Sequence, residues 1–206
     1  MQVFYIHPDN PQPRLIAQAA ELLRKDQLII YPTDTSYAFG CRLGAKEALD
    51  KLKQIRALDD KHQFTLLCRD LSEIATYATV DNAQYKQLKA HTPAPITFIL
   101  NATKDVPKKL AHPKKKTIGI RVPSNPIAQA LLEAMDEPIL TSSLILPERD
   151  DILDDPFEIE ELLSNQIDGL INAGIKTTKL TTIVDMTGGV PEIIRQGAAD
   201  VDSLLL

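Results

Sequence analysis

The sequence predicts an α/β fold, with one twisted, mixed, open sheet and helices on its faces, in a single domain over residues 1–206. Three observations predict this class. Short β-prone apolar runs alternate with segments whose apolar residues recur at helical spacing. The 206 residues are 44% hydrophobic and 25% charged, which suffices to bury one large core. No internal repeat and no low-complexity linker divides the chain.

The first half of the chain alternates strands and helices. Asn10-Pro11 predicts a helix N-terminus, with asparagine as the N-cap and proline in the first turn. The apolar stripe that follows has helical spacing: Leu15, Ile16, Ala19, Leu22 and Leu23. The other predicted elements are strands at residues 3–6, 28–31 and 64–68, and helices at residues 45–57, 71–77 and 82–89.

The second half continues the alternation. Asn125-Pro126 repeats the cap signature and begins a helix over residues 127–135. Asp155, with the Glu158 carboxylate three residues later, predicts a capping box and a helix to about residue 163. Residues 147–155 form a polar, acidic loop. Strands are predicted at residues 96–100, 117–122, 139–140, 169–171, 181–185 and 192–195.

The N-terminus and the cysteines favour a cytoplasmic protein. The first residues have no basic start and only a short apolar run, and no stretch approaches the length of a membrane span, so no membrane partner is expected. Cys41 and Cys68 are too few for a disulfide framework and lack the spacing of a zinc site, which fits a reducing compartment.

Several standard catalytic motifs are absent from the sequence. It has no P-loop, no dinucleotide fingerprint, no zincin helix and no nucleophile elbow, and no metal site is predicted. The four histidines stand far apart, and each is expected to have a surface or capping role: His7, His62, His91 and His112.

The net charge of −5 argues against a nucleic-acid partner, but its distribution argues otherwise. Residues 104–121 hold seven basic side chains against one aspartate, and residues 148–161 hold eight acidic ones against one arginine. The basic segment is typical of phosphate binding, including RNA backbone, although a solvated loop has the same composition. The candidate RNA-binding residues are Lys104, Lys108, Lys109, Lys114, Lys115 and Lys116.

Hydroxyl and arginine side chains follow several predicted strands. Residues 33–36, Thr-Asp-Thr-Ser, come directly after a buried strand and either contact a ligand or cap their own turn. Arg121 lies inside a strand, where it is either paired in the core or serves as an anion clamp. Thr141-Ser142-Ser143 follows another strand.

In their order along the chain, these segments resemble the YrdC/YciO family. The resemblance runs from about Tyr5 to Arg195 and rests on YPTDTSYAFGC, TPAPITFIL, IRVPSNPIAQAL, ILTSS, TTIVDMT and IIRQG. YIHPDNPQ, FTLLCRDLSE and RVPSNPIAQALLEA resemble the YciO branch in particular. The resemblance implies a YrdC-like domain, with an open sheet curved around a deep basic cleft.

The resemblance also implies a chemistry. The well-known members of the family are threonylcarbamoyl-AMP synthases, which join threonine, bicarbonate and ATP to form threonylcarbamoyl-AMP and pyrophosphate for tRNA modification. ATP with magnesium is then a substrate, and no permanent cofactor is expected. By motif, the threonine contacts are Thr33, Arg121 and Thr181, and the nucleotide contacts are Arg56, Ser143 and Arg195.

Two positions depart from the synthase pattern. Synthases carry a lysine where this chain has Gln54, and an asparagine where it has Ile145. Each charge-assisted contact is worth about 1.5–3 kcal/mol, so the two changes together imply a loss of about 10²–10⁴ in affinity or rate. Lys53 and Lys61 are candidate substitutes for the missing lysine.

The departures favour one of three functional hypotheses. The first is a YciO-type protein that binds RNA (double-stranded RNA or tRNA) and a nucleotide (ATP or AMP), is linked to tRNA modification or translation, and has weak or altered synthase activity. The second is a fully active synthase with a rearranged nucleotide site. The third is a different small-molecule transferase that uses the same cleft.

Overall fold

Strands and helices alternate along the computed structural model, which describes residues 1–59, 61–147, 149, 151–177 and 179–201. Most of the predicted elements are confirmed to within a few residues. In chain order the described elements are β1 (Gln2–Tyr5), α1 (Pro13–Arg24), β2 (Ile29–Pro32), β3 (Tyr37–Arg42), α2 (Lys46–Ile55), β4 (Thr65–Leu67), α3 (Leu71–Tyr77), β5 (Ala78–Thr79), α4 (Asn82–His91), β6 (Ile96–Ala102), β7 (Thr117–Arg121), α5 (Pro126–Met135), β8 (Ile139–Ser143), α6 (Pro156–Leu163), β9 (Gly169–Asn172), β10 (Thr182–Asp185) and β11 (Glu192–Arg195).

The described strands form one open sheet, as predicted. Its order is β1-β9-β2-β3-β8-β4-β7-β6-β10-β11, and β5 pairs with β6 beside this path. The sheet is mixed: β4 runs parallel to β7, whereas β8 is antiparallel to both β3 and β4. β1 and β11 lie at the two edges, so the sheet does not close into a barrel.

Two apolar clusters pack the sheet into a single α/β domain. One includes α1 and α5, with Leu23 and Leu131 fully buried against Ile29 and Tyr31 of β2. The other includes α2, with Leu52 buried among residues such as Phe39 and Leu66. No helix in the described part of the chain combines the length and the apolar character that crossing a bilayer requires.

The predicted start of the first helix is wrong. α1 begins at Pro13, and Gln12 is its N-cap without a side-chain cap bond. Asn10 lies before the helix, where its backbone N–H donates to His7 Nδ1 at 3.1 Å. The chain offers two prolines at which a helix could begin, Pro11 and Pro13, and the local signature does not distinguish them.

The caps of the two later helices can be compared with their predictions. At α5 the cap is confirmed, since Asn125 Oδ1 accepts from the backbone N–H of Ile127 at 3.0 Å and of Ala128 at 3.1 Å. At α6, Asp155 caps the N–H of Phe157 at 2.9 Å. The capping box is absent there, because Glu158 accepts instead from Arg149 at 2.8 Å. Residues 148 and 150 of the acidic segment lie outside the described residues.

Two strands, β3 and β5, were not predicted from the sequence. β3 pairs antiparallel with β2, from Ile29 opposite Gly40 to Pro32 opposite Tyr37, and β5 pairs antiparallel with the end of β6. A Cβ at Gly40 would lie 2.7 Å from a ring carbon of Tyr31, so this position requires glycine. The hairpin places residues 33–36 at its tip.

Candidate functional site

A cleft lies where the tip of the β2–β3 hairpin meets the ends of α2, β8 and β11. Its volume is about 130 Å³, and its walls are mostly hydroxyl and guanidinium groups. All six side chains predicted to contact threonine or a nucleotide line this cleft: Thr33, Arg56, Arg121, Ser143, Thr181 and Arg195. The structure therefore brings together residues that span more than 160 positions of the sequence.

Strand pairing explains this convergence. Ser143 at the end of β8 lies opposite Ala38, just after the hairpin tip. Arg121 ends β7, opposite Leu67 of the parallel strand β4. Thr182 pairs with Ile96, which brings Thr181 to the start of the central strand β6. The predicted residues thus meet because the ends of their strands are neighbours in the sheet, and their spacing along the sequence does not reveal this proximity.

Arg121 is paired in the core and also lines the cleft, and its role as an anion clamp stays a prediction. Its Nη2 donates to Asp34 Oδ2 at 2.7 Å, and both side chains are almost fully buried. Asp34 Oδ1 also accepts from the backbone N–H and the hydroxyl of Ser124, each at 2.9 Å. Arg121 Nε is buried and, within the described residues, has no hydrogen-bond partner. This N–H is available to a ligand atom.

Arg56 follows α2 and is held by the end of β8. Its Nε donates to the Ile145 carbonyl at 3.1 Å, and its Nη1 donates to the Ser142 hydroxyl. Burial lowers the pKa of Arg56 to about 10. No described carboxylate pairs with it, so the cation keeps its attraction for an anion.

Arg195 also lines the cleft. Its Nε and Nη2 donate to the Thr181 carbonyl at 3.0 and 2.8 Å, and Nη2 also contacts the Thr181 hydroxyl at 3.1 Å. Burial lowers the pKa of Arg195 as well. A Cβ at Gly197 would lie 2.4 Å from the Leu180 carbonyl oxygen, so glycine allows the two chain segments to approach this closely. No carboxylate among the described residues pairs with this arginine either.

The hydroxyls of the cleft also stabilise its walls. Thr33 Oγ1 donates to the Ser36 carbonyl at 2.7 Å and accepts from the Thr35 N–H at 3.2 Å, which is the predicted turn. Thr181 Oγ1 lies 3.2 Å from Thr97 Oγ1. These residues therefore have a structural role and face the cleft at the same time.

The lysines of residues 104–116 lie elsewhere. All six are exposed, on the connection between β6 and β7, which Val106 and Leu110 anchor in the core. Lys108 and Lys109 line a second groove of about 670 Å³, together with Lys46 and Lys53 of α2. None of the residues that line this groove also lines the cleft.

The two departures from the synthase pattern differ in position. Ile145 lines the cleft, and its carbonyl accepts the Arg56 bond. Gln54 is an exposed residue of α2, outside the cleft lining. Neither Lys53 nor Lys61 is among the residues that line the cleft.

Sequence reasoning missed two contributors to the cleft. One is Ser142 of the Thr-Ser-Ser run, which accepts a hydrogen bond from Arg56 and was not singled out as a site residue. His62, for which a surface or capping role was predicted, is half-buried and lines the cleft. Among the described residues, no group of three or more His, Cys, Asp or Glu side chains is arranged to hold a metal ion.

The sequence matches a family model. The model, named Sua5/YciO/YrdC and described as telomere recombination, matches residues 21–197. The chain is 52% identical over 204 residues to YciO of Escherichia coli K12, an uncharacterized protein, with 99% of both chains covered. It is 51% identical over 198 residues to an uncharacterized protein of Haemophilus influenzae, with 96% of each covered.

More distant similarity extends to synthases. The threonylcarbamoyl-AMP synthase of Nitrosococcus oceani is 28% identical over 126 residues, which is 61% of this chain and 68% of that protein. Among solved structures, E. coli YciO has a TM-score of 0.95 with 100% of this chain and 99% of that one covered. P. abyssi Sua5 complexed with L-threonine has a TM-score of 0.89 at 20% identity, with 99% of this chain and 60% of that one covered. The last likeness shows the shared fold.

Proposed function

The chain belongs to the Sua5/YciO/YrdC family, and from this premise we propose that it binds a nucleotide, ATP or AMP, in its arginine cleft. The observation that carries the proposal is the set of cations in the cleft. Arg56 and Arg195 are desolvated and lack a described carboxylate partner, and the buried Nε of Arg121 lacks any described partner. Groups of this kind favour a phosphate or a carboxylate.

The cleft is large enough to enclose only part of a nucleotide. Pockets for drug-sized ligands measure about 300–1,000 Å³, and this cleft measures about 130 Å³. The cleft therefore suits a phosphate or a small amino acid, and the rest of a bound nucleotide would extend out of it. Threonine is the second proposed ligand, since a structure of P. abyssi Sua5 contains it. Thr33, Arg121 and Thr181 are its proposed contacts.

We further propose that threonylcarbamoyl-AMP synthase activity is weak or altered in this chain. Adenylation depends on charge stabilisation around the reacting phosphate. Here the Asn of the synthases is replaced by the apolar Ile145, inside the cleft wall and beside Arg56. A fully active synthase is the alternative, supported by the convergence of all six predicted contacts.

A pyrophosphate-release assay with ATP, magnesium, threonine and bicarbonate tests this proposal. We expect turnover about 10²–10⁴ below that of a synthase assayed in parallel. Ile145→Asn should raise the rate, and Gln54→Lys should raise it less because Gln54 lies outside the cleft. Ile175→Asn, at a residue that is 70% exposed, is the matched control. Wild-type turnover within tenfold of the synthase would establish the alternative.

The second part of the proposal is RNA binding, to double-stranded RNA or tRNA, by the lysines of residues 104–116. Its support is the exposure of all six lysines on an anchored connection. A-form RNA is recognised largely through phosphates and shape, which lysines can serve without aromatic residues. We propose accordingly that the chain acts in tRNA modification or translation.

The salt dependence of RNA affinity tests this second part. Each phosphate contact contributes about 0.7–0.9 to the slope of log affinity against log salt. Lys114→Ala with Lys115→Ala should reduce the slope by about 1.5. Lys86→Ala with Lys89→Ala, on α4, removes the same charge from two other exposed positions. Equal slopes for the two double variants would exclude the segment as the RNA site.

A further inference from the structure

His62 lies in the cleft wall on the connection between α2 and β4. Its ring packs edge-on against Phe64, with the ring centroids 4.9 Å apart and the planes at 78°. Phe64 is buried, and the His62 backbone N–H donates to the Asp59 carbonyl at 3.2 Å. The imidazole is therefore held in place beside the cleft by a core side chain and a turn.

The ring nitrogens distinguish His62 from the other histidines. His7 Nδ1 accepts from two backbone N–H groups, His112 Nδ1 accepts from Lys115, and His91 Nδ1 contacts the Gln87 carbonyl. Among the described residues, neither ring nitrogen of His62 has a hydrogen-bond partner. This side chain lines the cleft with two unused polar atoms.

Burial, together with the neighbouring cations, keeps the His62 imidazole neutral at neutral pH. Burial is the main cause that lowers its pKa to about 4; the Arg56 and Lys53 cations lower it further, and Asp59 opposes them. The other charged groups that line the cleft are Arg195 and Arg121, the latter paired with Asp34. A neutral imidazole offers one N–H donor and one acceptor, so next to Arg56 it can donate to an anion without further repulsion.

We propose that His62 donates a hydrogen bond to a phosphate oxygen of the ligand held by Arg56, and that it takes up a proton from solvent when a phosphate dianion binds. This inference rests on the proposed nucleotide site. A dianion within about 4–6 Å favours the imidazolium, with a typical effect of 1–3 pH units on its titration. The cleft would then couple binding of the phosphate dianion to protonation of His62, and the proton uptake would increase as the pH falls toward the titration midpoint that His62 has in the complex.

Nuclear magnetic resonance of the histidine rings with AMP as the probe tests the proposal. With AMP bound, the titration midpoint of His62 should rise by about 1–3 units, while the ring signals of His7 and His91, which lie outside the cleft lining, should not move when AMP is added. By calorimetry, His62→Gln should bind AMP about tenfold more weakly at pH 6 and take up fewer protons than wild type. The titration of AMP itself is common to both proteins, so the difference isolates His62.

The outcomes separate the two proposals. If AMP binds to the wild type while the His62 ring is unmoved and His62→Gln binds equally well, the role of His62 is overturned and the nucleotide site stands. If the wild type binds neither AMP nor ATP, both are overturned. His7→Gln is the matched control, and near-native thermal unfolding of His62→Gln is the check that it is folded.

Discussion

Arg121 and Asp34 form the most deeply buried of the described salt bridges, with their side chains 7% and 5% exposed. The pair joins the hairpin tip to β7, and the bonds from Ser124 to Asp34 extend the link toward α5. A buried pair of this kind organises a site more than it stabilises a fold, because desolvation offsets the attraction. The shape of the cleft therefore depends on it.

Removal of either partner should destabilise the protein strongly. Arg121→Met leaves Asp34 buried without its counter-charge, and we expect the free energy of unfolding to fall by about 3–5 kcal/mol. Asp34→Asn should have an effect of the same order. The double variant should lose less than the sum of the two, measured by urea unfolding. Additivity within about 0.5 kcal/mol would contradict a coupled pair.

The two cysteines should be inert in the folded protein. Cys41 and Cys68 are both fully buried, and burial raises the pKa of the Cys41 thiol to about 12 and that of Cys68 well above its usual value. The thiolate is the reactive species. With a colorimetric thiol reagent at pH 8, labelling should be at least about 100-fold slower in native buffer than in concentrated urea. Rapid labelling of one thiol in native buffer would show that its surroundings open locally.

At the scale of elements, the start of α5 has two functions. Asn125 caps the helix through its Oδ1, and its Nδ2 donates to the Thr33 carbonyl at 3.2 Å. One side chain thus fixes both the helix N-terminus and the base of the hairpin tip. Different substitutions of Asn125 should therefore separate the effect on helix stability from the effect on the geometry of the cleft.

Two substitutions at this position separate the functions. Asn125→Ala removes both and should lower the free energy of unfolding by about 1–2 kcal/mol. Asn125→Ser retains a cap acceptor but not the bond to Thr33, so its loss should be about half of that or less. Thermal unfolding of the two variants measures the difference. Equal losses would mean that the bond to Thr33, not the cap, carries the stability.

The same element shows what the sequence can predict. The cap and the helix of α5 are local features, and both were predicted correctly. The start of α1 was not, since Pro11 and Pro13 carry equivalent signals. β3 was missed because its residues are almost all buried and show no alternation of apolar and polar side chains, and because its pairing with β8 is a long-range contact.

The site was predictable to a different degree. The six contacts in the cleft were identified through the ordered motifs of the family resemblance, and spacing alone would not have joined them. His62 was missed because it lies on an irregular connection, where only the packing on Phe64 places its ring. The separation of the lysines from the cleft also depends on the tertiary fold.

On the scale of the whole molecule, two cationic surfaces serve the proposed ligands: the cleft serves a nucleotide and threonine, and the exposed lysines serve RNA. The cleft concentrates buried arginines, and the β6–β7 connection presents exposed lysines. Buried cations act at short range on a fixed anion, whereas exposed lysines act through a field that salt screens over about 10 Å. The net charge of −5 conceals both surfaces.

No residue lines both the cleft and the second groove, which contains Lys108 and Lys109. We therefore expect a nucleotide in the cleft and RNA on the exposed lysines to bind independently. Coupling requires that one ligand change the affinity of the protein for the other, through contacts that the two sites share or through an element with two discrete arrangements. Saturating AMP should therefore alter RNA affinity by less than about twofold at fixed salt, which corresponds to less than about 0.4 kcal/mol. Arg195→Gln is the control, because it weakens AMP binding in the cleft and leaves any effect of AMP elsewhere on the protein unchanged. A tenfold change in wild type that Arg195→Gln abolishes would mean that the RNA reaches the cleft, and the two surfaces would then form one continuous site.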